Sequence, residues 1–406
     1  MSAHLPLPAD LSDPSRLDSQ GNAPDKVFMY NVIIIGLGAM GSAAAYELAE
    51  AGARVLGLEQ FSPLHHRGSS HGKSRMIRKA YFEGDFYIPM LERSFAKWRA
   101  LGEKGDKPLL HLTGGLYCGL PEGEVIASTL ASAKKYNLEV EVLSPDEVTE
   151  RFPAFRLGPG QVGVFEAEAG NVNPDETLDL YHRLARKAGA ELNFDERVED
   201  IQVVAAGLHI RTSAADYKAK KLIITAGPWL GALAVKLGAP LPLEVWRMAL
   251  HWFKPAGGLE DFTPPKFIPN LWHMADGGIF YGFPWVKDDI GVKYAFHNRQ
   301  NPVVNPENPD REITAKEIDE VKAALATHVP GLGDNHVKSG TCLYTPTPDG
   351  HFVVGMLPGQ KNIMVAGGFS GHGFKFTPVI GEILKDLALE GKTRFDISGF
   401  DLARFG

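Results

Sequence analysis

The chain has 406 residues, 44% apolar and 22% charged, a size and balance that suit two compact domains with sizeable cores and exclude wholesale disorder. Its 42 basic against 49 acidic residues leave a net charge of −7, which disfavours a phosphate backbone as the main partner. Two cysteines, Cys118 and Cys342, cannot make a disulfide framework or, by themselves, a metal site. A reducing compartment and no bound metal are therefore expected, and either thiol is left free for chemistry.

Residues 1–28 carry prolines and polar side chains but no apolar stretch after a basic start. They are predicted to be a loose extension and not a signal peptide, with the mature protein in the cytoplasm. Residues 27–46 are uncharged, long enough for a membrane span, but Gly36, Gly38 and Gly41 interrupt them and no second span exists. A membrane is not expected as a partner.

The apolar run 31–35 ending at Gly36, followed by 39–51 with its small residues and Leu, predicts a buried strand feeding a helix, and 54–58 a second strand. Ser144, Pro145 and Glu147 supply an N-cap, a first-turn proline and a capping-box acid, so a helix starts there and Pro153 limits it. Asn173 and Pro174 open another over 175–187. The alternating segments of 189–217 and the apolar Leu222, Ile223 and Ile224 predict a strand, a hairpin and a strand returning to the first sheet. Cys118 is expected in a surface hairpin. Residues 245–297 hold 12 of the 39 Phe, Tyr and Trp, and 244–253 and 278–283 read as strands of an aromatic-lined antiparallel sheet. Thr314 and Glu317 cap a helix reaching about His328, before Pro330. Residues 362–366 read as a strand, 367–373 as a glycine-rich turn and 377–389 as a helix.

Gly36, Gly38 and Gly41 follow a predicted strand and open a helix, and Glu59 ends the next strand 23 residues after Gly36. The first two glycines let the backbone turn tightly and approach a pyrophosphate, the third lets helix and strand pack closely, and the carboxylate can hold a ribose diol. Glu59 favours an unphosphorylated ribose, hence NAD or FAD, and the string Gly-Leu-Gly-Ala-Met-Gly also resembles NAD-dependent β-hydroxyacid dehydrogenases. A second glycine-rich loop, Ala366 through Phe376, again lies between strand and helix. Such a loop lets backbone approach a flat ring, the helix N-terminus after it favours negative charge there, and FAD is long enough to run between the two loops.

Several motifs occur together and in order: Gly68-Ser69-Ser70-His71-Gly72-Lys73-Ser74-Arg75-Met76-Ile77-Arg78, Tyr281-Gly282-Phe283-Pro284, Lys293 with His297, Cys342-Leu343-Tyr344-Thr345, and Gly368-Phe369-Ser370-Gly371-His372-Gly373-Phe374-Lys375-Phe376. With them the chain, from about 29 to 400, resembles the monomeric sarcosine oxidase and N-methyltryptophan oxidase family. The resemblance implies an α/β fold of the glutathione-reductase/D-amino-acid-oxidase type. A Rossmann-like FAD-binding domain (29–110, 171–243 and 340–406) would stand beside a mainly antiparallel substrate domain (111–170 and 244–339). It implies a monomer that oxidises sarcosine or another secondary amino acid to an imine, reduces O2 to H2O2 and carries FAD on a cysteine thioether.

Carried onto this sequence, the resemblance makes Cys342 the attachment point, a thiolate being the nucleophile such a linkage needs. It puts Gly36, Gly38, Gly41, Glu59, Ser70, Ser74, Gly371, Gly373 and Lys375 on the cofactor, with His71 and Arg75 near the flavin. Arg78 and Lys375 become the clamp for a substrate carboxylate, a role that guanidinium's planar fork suits. Lys293 becomes the residue where O2 is reduced, on the flavin face away from substrate, because a fixed ammonium stabilises superoxide. His297, Tyr281 and Tyr344 would line the substrate pocket. Taken alone, Cys342 fits a buried structural cysteine, Lys293 a solvated lysine and Tyr281 core packing. Arg75 and Arg78, three apart, would share an exposed face if their segment were helical. Lys73 stands where the family has an acid, and Trp272 where it has an aliphatic side chain near the pocket. Pipecolate, proline or fructosyl amino acids are alternative substrates; an NAD-dependent dehydrogenase and a non-catalytic flavin-binding protein are the alternatives of other classes.

Overall fold

Five parallel strands form the spine of the computed structural model, which describes residues 29–287, 289–299 and 301–405; the extension expected over 1–28 lies outside these. Glu191–Asn193, Val55–Leu58, Met29–Ile35, Asp216–Ile224 and Ile363–Gly367 lie side by side in that order. Val32 and Ile34 point into one core and Ile33 and Ile35 into another, so the first strand is buried on both faces, as a strand between two layers must be. The helices Ala39–Glu50, Pro174–Lys187 and Thr377–Glu390 cover one face. The hairpin Val198–Val204 and Gly207–Thr212 extends the sheet antiparallel from the first half of Asp216–Ile224. The expected caps are in place: Ser144 and Glu147 before Pro145–Arg151, Asn173 before Pro174–Lys187, and Thr314 and Glu317 before Ala315–His328.

A second sheet of eight strands runs His336–Tyr344, Trp246–Phe253, Val292–Phe296, Ile279–Phe283, Asn270–His273, Gly115–Gly119, Val162–Glu166 and Glu141–Leu143. Its pairs are antiparallel except Asn270–His273 with Gly115–Gly119. Alternation sorts its aromatic residues. Phe253, Phe280, Tyr294 and Phe296 pack under the helix Ala315–His328 with Val321 and Leu325, while Tyr281, Leu250, Ala295, Cys342 and Tyr344 gather on the opposite face. A small sheet of Arg75–Ile77, Gly170–Val172 and Leu110–His111 completes the strands. The expected α/β architecture of a Rossmann-like sheet and a mainly antiparallel one is thus observed.

Four particulars differ from the sequence reading. Arg75–Ile77 is a strand, so Arg75 and Arg78 share no helical face. Cys118 is fully buried in the strand Gly115–Gly119, opposite Trp272 and Gly163, and not in a surface hairpin. Cys342 lies within the strand His336–Tyr344, opposite Met248, so the expected crossing at residue 340 falls inside a strand of the second sheet. The helices Ile88–Glu103 and Glu124–Tyr136 were not anticipated. Among the described residues no helix is long and apolar enough to cross a membrane.

Candidate functional site

An elongated cleft, about 1650 Å³ with its open mouth, follows the C-terminal ends of the parallel strands from Gly36, Gly38 and Glu59 to Gly371 and Gly373. Gly36 has φ +93°, a turn open to glycine, and a Cβ on Gly41 would lie 1.9 Å from the Gly36 carbonyl oxygen. The tight turn at Gly36 and the close packing at Gly41 are thus as the spacing implies; Gly36 and Gly38 line the cleft, whereas Gly41 does not. Glu59 accepts the Leu37 N–H at 2.9 Å and the Phe61 N–H at 3.1 Å, which aims its carboxylate along the cleft wall. Ser70 lends its Oγ to the Ala39 N–H at 3.1 Å, an orphan donor at the start of the helix Ala39–Glu50. At the far end Gly371 has φ +80°, and a Cβ there would meet the Tyr344 ring at 2.2 Å. Thr345 Oγ1 and Trp229 Nε1, both in the cleft wall, are buried without partners. A long cleft with a glycine turn at each end and unsatisfied polar atoms between them fits FAD.

A second cavity of about 740 Å³, open mouth included, shares Arg75, Tyr344, Gly371 and Phe374 with the cleft, so the two meet at the second glycine loop. The strands of the second sheet supply Tyr281, Phe283, Lys293 and Cys342 to it, with His297 just beyond the strand Val292–Phe296. His297 packs against Tyr344, ring centroids 5.3 Å apart, and burial pulls its pKa down to about 4. Lys293 donates to the Ser74 carbonyl at 2.9 Å and sits 4.3 Å from the Phe283 ring centroid. Burial, with Arg75 second, holds Lys293 well below the ordinary lysine range. Cys342 Sγ lies 3.9 Å from the Arg75 guanidinium, which also donates to the carbonyls of Ser69 and Ser74 at 2.9 Å each.

Arg78 and Lys375, the expected clamp, both line the second cavity, and Arg78 is already engaged. Arg78, 3% exposed, donates to both oxygens of Glu83 at 2.6 and 2.5 Å and to the Ala80 carbonyl at 3.0 Å. Burial alone would raise Glu83, but Arg78, with His372 and Lys375, overrides it and holds the carboxyl down to about 2. Lys375 donates to the His372 carbonyl at 2.7 Å and to the Tyr81 hydroxyl at 3.3 Å. Burial first, and Arg78 second, pull its pKa down to about 7.

The remaining expectations divide. Ser74 lines the second cavity and not the cleft, while His71 lines neither. His71 is buried beside His66 with its Nε2 unpartnered, and burial, helped by Arg75, lowers its pKa to about 3. Trp272 faces away from the cavity: it is 1% exposed, donates to Asn270 Oδ1 at 2.9 Å and packs on Phe155 and His328. Its neighbour Leu271 takes the cavity wall, because strand alternation gives that face to the odd-numbered residue. Glu83 escaped the sequence reading, although its place five residues after Arg78 was a readable signal. Among the described residues no three His, Cys, Asp or Glu side chains are placed to hold a metal ion.

Comparison with known proteins agrees with this geometry. The sequence pattern of the FAD dependent oxidoreductase family matches residues 31–387. The chain is 40% identical over 377 residues to a monomeric sarcosine oxidase of Streptomyces avermitilis, covering 92% of this chain and 97% of that one. It is 35% identical over 378 residues to an N-methyl-L-tryptophan oxidase of Salmonella dublin, covering 93% and 99%. The solved open form of NikD, an unusual amino acid oxidase essential for nikkomycin biosynthesis, superposes with a TM-score of 0.79 at 28% identity, over 92% of this chain and 97% of that one. By sequence and fold together, the chain belongs to the FAD-dependent oxidoreductase family, in its amine-oxidising group with monomeric sarcosine oxidase and N-methyltryptophan oxidase.

Proposed function

We propose that the protein oxidises a secondary amino acid, sarcosine or another N-methyl amino acid, at the C–N bond, giving an imine that water hydrolyses and H2O2 from O2. The observation that carries this reading is the meeting of Arg78 and Lys375 with Lys293 in one largely buried cavity that opens onto the cofactor cleft. Bound FAD would supply the two-electron chemistry, taking electrons from the amine carbon and passing them to O2. The protein's part is position and field. Arg78 and Lys375 hold the carboxylate, and the rings of Tyr281 and Tyr344 confine the amine. His297, neutral at pH 7 with a pKa near 4, offers the amine a hydrogen-bond partner without placing a second charge beside it. Lys293 stands ready for the charge that O2 acquires.

Cys342 is the proposed covalent anchor, supported by its place in the wall of the second cavity, 3.9 Å from the guanidinium of Arg75, a residue that lines both cavities. The proposed FAD-binding part is 29–110 and 171–243 with the C-terminal segment, the last crossing moved to follow Tyr344. The proposed substrate part is 111–170 with the segment from 244 to that strand's end. The relatives' name supports action as a monomer. The test is anaerobic bleaching of the flavin by N-methyl, cyclic and glycated amino acids, with peroxide measured in air. N-methyl amino acids should bleach fastest; bleaching by none of the three classes refutes the assignment. On a denaturing gel the flavin fluorescence should stay with the wild-type chain and be lost from Cys342→Ala.

A further inference from the structure

We propose that Glu166, together with Tyr117, is the positioning pair that holds Arg78 in place for the substrate, an inference that rests on the reading of Arg78 as carboxylate anchor. Glu166 ends the strand Val162–Glu166 and is 2% exposed. Its Oε1 accepts the Lys79 N–H at 2.7 Å, and its Oε2 accepts the Ala80 N–H at 3.3 Å and the Tyr117 hydroxyl at 2.8 Å. Ala80 in turn accepts Arg78 through its carbonyl at 3.0 Å. One carboxylate of the second sheet thus grips the two main-chain amides that follow Arg78, and the residue it grips also receives the guanidinium.

The arrangement answers a local need. The strand Arg75–Ile77 ends one residue before Arg78, so the amides of 79 and 80 have no ladder partner, and Ala80 is fully buried. A serine or asparagine would satisfy one such amide. A carboxylate satisfies both and adds negative potential beside a buried guanidinium. Tyr117 donates to Oε2 as well, and its ring centroid lies 5.9 Å from the Arg78 guanidinium carbon, so the pair bears on Arg78 through the amides that follow it and through this ring. Burial raises the pKa of Glu166, while both amides, Tyr117 and Arg78 act against it. Neither residue lines the second cavity, so they act through Arg78 and not on the substrate.

Glu166→Gln keeps the shape but turns one acceptor into a donor, which must then face an amide N–H or the Tyr117 hydroxyl. The measurement is the ratio of kcat/KM for an N-methyl amino acid to that for its carboxamide, on flavin-loaded protein. Misplacing an anchoring group by a fraction of an ångström should lower this ratio about tenfold in Glu166→Gln and about threefold in Tyr117→Phe, through KM of the acid, with kcat scarcely changed. Acid and amide weakened alike, or a wild-type ratio in both variants, would overturn the proposal. If Glu166→Gln does not fold, Tyr117→Phe decides alone, because it deletes one hydroxyl and keeps the ring. A control in which Arg78→Met and Glu83→Gln are combined separates the two readings. If that control keeps the wild-type ratio, Arg78 is not the anchor and the positioning proposal falls with it. If it loses the ratio while Glu166→Gln and Tyr117→Phe keep it, the anchor stands and only the positioning role is wrong.

Discussion

The cofactor cleft and the substrate cavity are built of different material. The cleft is walled largely by main chain and small residues at its two glycine turns, where an added Cβ meets backbone or a packed ring. The cavity is walled by long side chains, and Arg78, Glu83, Lys293 and Lys375 bring ionisable groups into a largely apolar enclosure. Shape therefore governs the first and charge the second. A flat cofactor of constant structure is held by close approach of backbone, whereas a small zwitterionic ligand gives little area and must be held by fields.

If that contrast holds, the largest effect belongs to the cleft. Gly41→Val would put a branched side chain where even a Cβ lies 1.9 Å from the Gly36 oxygen, and purified protein should carry no flavin by its visible absorbance. Gly331→Ala, which meets nothing within 4 Å, should load normally. A loaded Gly41→Val would show that the turn is not what holds the cofactor. The cavity should instead respond to charge. Arg78→Met leaves the largely enclosed Glu83 carboxylate, 15% exposed, without its partner and should lower unfolding free energy in denaturant by about 3 kcal/mol, most of it recovered when Glu83→Gln is added. Failure of the second change to restore stability would mean that packing of Arg78 against Tyr81 and Phe82 matters more than its charge.

Lys293→Met should slow turnover with O2 by a hundred- to a thousandfold, about 2.7–4 kcal/mol by analogy with losing one preorganised donor. Turnover with an artificial electron acceptor should change far less, and equal losses would mean that Lys293 has no particular part in the O2 step. The smallest effect is a pH dependence. Lys375 loses its proton as pH rises through about 7, so a carboxylate ligand lacking an amine should bind more weakly above that pH. The drop should be about tenfold by pH 8.5, since the neutral amine still donates a hydrogen bond. Lys375→Met should flatten the profile; an unchanged profile would assign the titration to another group.

Local chemistry was legible in the sequence wherever it is written within a few residues. The capping boxes at Ser144 and Thr314, the strand ahead of Gly36 and the glycine turns were all found where expected, because caps and tight turns depend on nearest neighbours. The helix Ile88–Glu103 was equally readable, with Pro89 in its first turn and Ile88, Leu91, Phe95 and Trp98 on its buried face, but it carries no chemistry that draws the eye. Residue types for the site were also present: two arginines, two lysines, a histidine, two tyrosines and a cysteine in recognisable strings.

What only the tertiary structure decided is which of those groups meet, and in what charge state. The sequence spacing of Arg75 and Arg78 suggested one helical face, whereas pairing with Gly170–Val172 made the segment a strand and sent Arg75 toward Cys342 and Arg78 toward Glu83. Strand alternation turned Trp272 into the core and Leu271 to the cavity, a one-residue difference that depends on register with Tyr281 and Phe280. Cys118 and Cys342 are alike in the sequence and both buried, but of the two only Cys342 lines the second cavity. Glu166 reaches Arg78 across 88 positions of chain, through amides no motif marks. Contacts of that range follow from how two sheets pack, and the lowered pKa values of Lys293 and Lys375 follow from the burial that packing imposes. A sequence states which groups are available; the free energy of burying them together is a property of the assembled fold.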